Sequence, residues 1–154
     1  MGGEVLPEPK KVPDVFSPAG YWAVSKEVAD ILREFDLGQT KLYPVELFRH
    51  DGKTPIAGRH EFLNLCEKKA AFEPSLSAKF SESEYAPPGT SFGLFGYGKD
   101  YDLTLNKTAL VGPDLWLDTK LNRAVFLSNR LAKALDDAGF AKKMRLLKCH
   151  VADA

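Results

Sequence analysis

Tyr21-Trp22-Ala23-Val24-Ser25-Lys26-Glu27-Val28-Ala29-Asp30-Ile31-Leu32-Arg33-Glu34-Phe35-Asp36-Leu37-Gly38 is the stretch from which the fold class is read. Residues 21–24 read as a short strand. Ser25 is placed to cap a helix, its hydroxyl accepting from a free amide of the first turn. Val28, Ile31, Leu32 and Phe35 follow at i, i+3, i+4 and i+7, so they share one helical face and are expected in the core. Glu27 and Asp30 stand near the N-terminus, where the helix dipole favours negative charge. Gly38 is expected to end the helix with a left-handed cap. Residues 41–48 then read as a strand, and Pro44 places it at a sheet edge.

The same pattern returns 103 positions later. Ser25 falls on Ser128, Val28 on Leu131, Ala29 on Ala132, Leu32 on Leu135 and Leu37 on Phe140. Residues 124–127 are a strand before Ser128, Gly139 is the stop, and residues 144–149 are expected to be a closing strand. The echo is either a true internal repeat or two uses of a common physical solution. In both cases the pattern predicts an α+β (mixed α/β) single domain. Its two strand-helix-strand units are expected on a mixed or antiparallel sheet, with Val28, Ile31, Leu32, Leu131 and Leu135 buried.

Outward from these units the chain is less regular. Residues 1–20 hold four prolines and three acidic residues, and read as a Pro-rich N-terminal arm that packs through Val12, Val15 and Phe16. The domain is expected to occupy 21–154. Asp51-Gly52 marks a turn or hairpin. Residues 60–66 suit either a strand or a helix, and 115–117 either a strand or a short helical turn. Residues 71–102 form an atypical, loop-rich insertion: 73–100 alone contain five Ser, three Pro and four Gly, ending in a Gly-aromatic run at 89–98. A loop of that length is functional or disordered, and its Phe and Tyr content argues against simple disorder.

The 154 residues suit one domain burying roughly 68–70% of its unfolded surface, large enough to fold without a disulfide or metal. Lys and Arg number 21, Asp and Glu also 21, so the chain lacks the cationic excess of a general nucleic-acid binder. Uninterrupted apolar runs fall far short of the ~20 residues of a membrane helix. The start lacks the basic and apolar regions of a secretory signal, so a cytoplasmic location is expected. Cys66 and Cys149, with no Cys-x-x-Cys pair, are expected as two reduced, buried thiols.

Chemistry-bearing patterns are sparse. The glycines at 89, 93, 96 and 98 lack both the Gly-Lys-Ser/Thr and the following helix that a phosphate loop requires. His60 and Cys66 are near in sequence, which is not catalytic geometry, and Cys149 and His150 would point to opposite faces of a strand. The Cys and His spacing fits no zinc site. No catalytic, metal or cofactor residue is assigned, and no enzyme activity is expected. Lys142, Lys143, Arg145 and Lys148 read as a charged edge strand that deters pairing, or as a docking face for an acidic partner.

Two blocks carry a resemblance. One is Leu103-Thr-Leu-Asn-Lys-Thr-Ala-Leu-Val-Gly-Pro-Asp-Leu-Trp-Leu-Asp118 with Ala124-Val-Phe-Leu-Ser-Asn-Arg-Leu-Ala-Lys-Ala-Leu-Asp-Asp-Ala-Gly-Phe140. The other is Trp22-Ala-Val-Ser, Phe35-Asp-Leu-Gly38, Tyr43-Pro-Val45 and Phe62-Leu-Asn-Leu65. Together they resemble immunity proteins of bacterial polymorphic toxin systems, a family otherwise described as a domain of unknown function. The resemblance covers roughly residues 20–70 and 103–150. It rests on apolar and turn positions and transfers no catalytic residue.

What the resemblance implies is an antitoxin that binds and neutralises a cognate toxin domain; from the charge balance and the short apolar runs, no nucleic-acid or membrane partner is expected. Such a surface needs aromatic or charged anchors. Tyr85, Phe92, Phe95, Tyr97 and Tyr101 are the candidate aromatics for partner binding, and Glu82, Glu84, Asp100 and Asp102 the candidate carboxylates, poised to steer a basic partner. For Phe92 and Phe95 a role in anchoring the loop to the core is equally open. The competing readings are another protein-binding module, or a small-molecule-binding protein or enzyme using 81–102 as a lid.

Overall fold

The computed structural model describes residues 11–18 and 20–153. In chain order the elements are β1 (Val15–Phe16), β2 (Trp22–Ser25), α1 (Lys26–Arg33), β3 (Lys41–Val45), β4 (His60–Asn64) and β5 (Lys68–Lys69). There follow β6 (Phe80–Glu82), β7 (Phe92–Leu94), β8 (Thr104–Leu105), β9 (Leu115–Asp118), β10 (Leu121–Asn122) and β11 (Val125–Leu127). The chain closes with α2 (Asn129–Asp137), α3 (Ala141–Met144) and β12 (His150–Val151). The fold is α+β in one domain.

Both serine caps form. The Ser25 and Ser128 hydroxyls accept from the Val28 and Leu131 amides at 3.4 and 3.3 Å. Val28, Leu32, Leu131 and Leu135 are buried together, while Ile31 is half-buried at the margin of the same cluster. Helix α1 ends at Arg33, earlier than Gly38. Gly38 instead turns the chain at φ +55°, with its amide on the Asp36 carboxylate at 2.9 Å, and an added Cβ would collide with Glu67.

The first sheet runs β1-β2-β4-β3 and is antiparallel throughout, with Pro44 on its edge strand β3. Residues 60–66 are therefore a strand in their first part. Asp51 and Gly52 turn the chain between Phe48 and Pro55, which bridge. Of the arm expected at 1–20, Val15 and Phe16 belong to this sheet, so the domain begins before residue 21; residues 1–10 and 19 lie outside the described residues.

The expectation of one sheet carrying both units is corrected. The second unit stands on a separate sheet, β11-β9-β5, with β11 and β9 antiparallel and β5 and β9 parallel. This sheet is covered on both faces. Leu115 points into a core with α1 and α2, and its neighbour Trp116 into a second core with Phe72, Phe92, Leu121 and Phe126. That is the period-two alternation of a strand, and each buried aromatic or Leu contributes ~1.5–3 kcal/mol of transfer free energy.

The closing strand expected at 144–149 is also corrected. Residues 141–144 are the short helix α3, stopped by Arg145 in the left-handed region at φ 54°. Pairing resumes at β12, which lies parallel to β8.

The echo extends further than the serines. The Ser25 amide donates to the Asp14 carbonyl at 2.7 Å, and the Ser128 amide to the Asp114 carbonyl at 2.8 Å. Asp14 leads into β1 and Asp114 into β9, and each of these strands pairs antiparallel with the strand ahead of a cap. Each carboxylate also pairs with a cation, Lys143 at Asp14 and Arg130 at Asp114, and the Asp114 carboxylate bonds the cap hydroxyl as well. The repeating unit is thus aspartate, antiparallel strand pair, serine cap and helix.

Candidate functional site

The expected insertion at 71–102 is built into the domain. Phe72, Phe80 and Phe92 meet edge to face, with centroids 5.3–5.7 Å apart. They anchor the antiparallel β6–β7 hairpin, whose other neighbour β10 pairs in parallel through Leu121 and Phe92. Phe92 is 5% exposed, so its ring is a core anchor and is withdrawn from the partner-binding set. Phe95, 69% exposed, lies beyond the end of β7 and is not part of that anchor.

The remaining candidates divide between the two ends of the hairpin. At one end the Ser83 amide donates to the Ser91 carbonyl at 2.9 Å, and the Glu82 carboxylate accepts from the Gly89 amide. Tyr85 projects there at 98% exposure beside exposed Glu84. At the other end, Gly96 turns the chain at φ +66°, and Phe95, Tyr97 (90% exposed), Asp100, Tyr101 and Asp102 gather.

This second end is fastened on two sides. The Phe95 amide donates to the Lys79 carbonyl at 2.8 Å, and the Ala78 amide to the Asp102 carbonyl at 2.7 Å. The Tyr101 amide donates to the Lys148 carbonyl at 2.7 Å, and the Lys148 amide to Oδ1 of Asp100 at 2.9 Å. Oδ2 of Asp102 takes the Lys99 amide at 2.7 Å. The Tyr101 ring stacks on His150 at 4.6 Å, and the Arg145 guanidinium stands 5.9 Å from the Tyr97 ring centre.

Two regions that are separate in sequence therefore form one face: residues 94–102, and the part of the basic segment that includes Arg145 and Lys148. Between them lies a crevice of about 80 Å³, with Leu94, Leu103 and Leu147 in its walls. Leu94, Leu147 and His150 belong to this face and were missed from sequence. Leu147 lay in a run read as a strand, which gives no sign of a neighbour near residue 98. The other two basic residues sit on α3, and Lys143 is paired with Asp14 at 2.9 Å.

The carboxylates at this end each use one oxygen inside the turn. Asp100 and Asp102 each hold a backbone amide, which serves the turn. The same is true of Glu82 at the far end.

The thiols and histidines occupy unlike settings. Cys149 is half-buried; burial, and then the charge of Asp100, raise its pKa, the reverse of what activates a nucleophile. Cys66 is exposed, contrary to expectation, and its thiol donates to the Asn64 carbonyl at 3.5 Å. His60 is buried with its ring edge-on to Phe16. Among the described residues no three His, Cys, Asp or Glu side chains converge as metal ligands, and no helix is long and apolar enough to cross a membrane. Compared with protein-family models, with curated proteins and with solved structures, the chain gave no match.

Proposed function

We propose that this chain is an immunity protein that binds a cognate toxin domain of a bacterial polymorphic toxin system and neutralises it in the cytoplasm. One observation carries the reading on the structural side. Phe95, Tyr97 and Tyr101 are exposed on the turn between β7 and β8, which is tied by backbone hydrogen bonds to Lys79 and Lys148. Rigid aromatics supply large contact area at small conformational cost, and a surface held in place before binding loses little entropy on association. The sequence resemblance at 20–70 and 103–150 supplies the partner class.

A face of this kind suits an interface of ~800 Å² per partner with a few anchors at its centre. The lid reading gains less support, because the crevice beneath the loop, about 80 Å³, is far smaller than the ~300–1,000 Å³ of small-molecule sites.

The test is co-expression in a bacterial host with each toxin domain encoded beside this gene. The reading expects the chain to restore growth against one of them and to co-purify with it. Failure to protect against, and to bind, every such neighbour would contradict it.

A further inference from the structure

Resting on that reading, we propose that the crevice between residues 94–103 and 147–149 receives an apolar side chain presented by an acidic segment of the toxin domain. The walls are aliphatic: Leu94, Leu103 and Leu147 line it with Ala78. Leu94 and Leu147 are both about half exposed, so apolar surface is left for a partner to cover. Gly98 lies against Leu147, where an added Cβ would stand 3.3 Å from the leucine Cδ1. The backbone thus closes one side of a slot with room for one side chain.

The rim supplies the charge argument. Lys79, Lys99 and Lys148 line the crevice and are exposed, and none of them takes part in the ion pairs among the described residues. Arg145 adds a fourth cation over the ring of Tyr97, which lies in sequence between the lining residues Gly96 and Gly98. These four cations stand against two carboxylates, Asp100 and Asp102, each of which also holds a backbone amide of this rim. Cations therefore dominate what a partner meets, and the complement is an apolar knob flanked by Asp or Glu. A nucleic acid fits less well. Tyr101 is already stacked on His150, and the aliphatic walls offer no donors or acceptors to base edges.

The experiment uses three fluorescent probes with the full chain: two peptides of about 12 residues sharing a central Leu-Phe-Leu, one flanked by Asp and Glu and one by Lys and Arg, and an oligothymidine of similar length. Anisotropy is read at roughly 30 and 300 mM salt. The proposal expects the acidic peptide to bind at least about tenfold more tightly than the basic one, and to weaken several-fold at high salt. The triple exchange of Lys79, Lys99 and Lys148 to Glu should abolish that preference, and Gly98→Leu, which fills the slot, should weaken binding without changing the salt response.

Circular dichroism confirms folding, and the lysine exchanges, at exposed positions, keep the test valid if Gly98→Leu does not fold. Equal or tighter binding of the basic peptide or of oligothymidine would overturn the proposal, as would no binding of the acidic peptide. Protection against a toxin without acidic-peptide binding refutes the crevice and leaves the immunity reading standing. Acidic-peptide binding without protection does the opposite.

Discussion

The Ser128 hydroxyl donates to Oδ1 of Asp114 at 2.5 Å, while its amide donates to the Asp114 carbonyl at 2.8 Å. The same carboxylate takes Nε and Nη2 of Arg130 at 2.7 and 2.5 Å and the Asp36 amide at 2.9 Å. Asp114 is 1% exposed. One buried carboxylate therefore ties the start of β9, the cap of α2 and the turn after α1. Asp114→Ala removes four hydrogen bonds, with the exposed Arg130 rehydrated, and should cost about 2–3 kcal/mol in urea unfolding. A loss under about 1 kcal/mol would show that water replaces the carboxylate at little cost.

Acid should reveal the same group. The Arg130 hydrogen bonds, with help from Ser128 and the Asp36 amide, hold the Asp114 carboxyl at about 2, against the resistance of burial. The unfolded chain titrates near ~3.9, so folding favours the ionised form. Its contribution, of the order of 2 kcal/mol, is fully present above about pH 4 and is lost as pH falls toward about 2. Urea midpoints measured from pH 5 to pH 2 should fall less steeply for Asp114→Asn than for the native chain. Parallel pH profiles would rule out this source of acid sensitivity.

Asp118 is a second test of the same logic at the other core. Its Oδ2 accepts the Ala71 and Phe72 amides, both at 2.8 Å, and its Oδ1 those of Lys120 and Leu121 at 2.8 and 3.2 Å. This fixes the entry of the 71–102 segment against the β9–β10 turn. Asp118→Ala should cost about 3 kcal/mol, since the Ala71 and Phe72 amides have no access to water once stranded. It should also raise amide hydrogen exchange across β6 and β7. Exchange unchanged there would mean that the phenylalanine trio alone holds the hairpin.

Much of the first unit was legible because its signals are local. A serine cap, an i, i+3, i+4 stripe and an edge-strand proline all act within one or two turns of chain, and Ser25, Val28, Leu32 and Pro44 sit as read. What the sequence did not reveal was partnership at a distance. Leu115 and Trp116 suit either a strand or a short helical turn in sequence, and nothing local says that the two side chains enter different cores. The parallel pairings of β5 with β9 and β12 with β8 join segments tens of residues apart. Residues 144–149 misread as a strand because their apolar spacing fits two periods, and Arg145 in the left-handed region decided against it.

The candidate face was half legible for the same reason. Aromatic residues on a Gly-rich loop can be noticed in sequence, but whether each points into the core or out depends on the fold around it. Phe92 and Phe95 are three positions apart and end on opposite sides of that choice. That Tyr97 meets Arg145 and Tyr101 meets His150 follows from β12 lying beside β8.

The face at 94–102 and 145–150 is proposed to bind a toxin domain. Isothermal titration of the purified chain, and of its Phe95→Ala, Tyr97→Ala and Tyr85→Ala variants, into a toxin domain against which co-expression gives protection tests this. Binding is expected in the nanomolar range, at least about 30-fold weaker for one of Phe95→Ala and Tyr97→Ala with the melting temperature kept, and little changed for Tyr85→Ala at the far end of the hairpin. Affinity unchanged by both Phe95→Ala and Tyr97→Ala, or no binding at all, would contradict it.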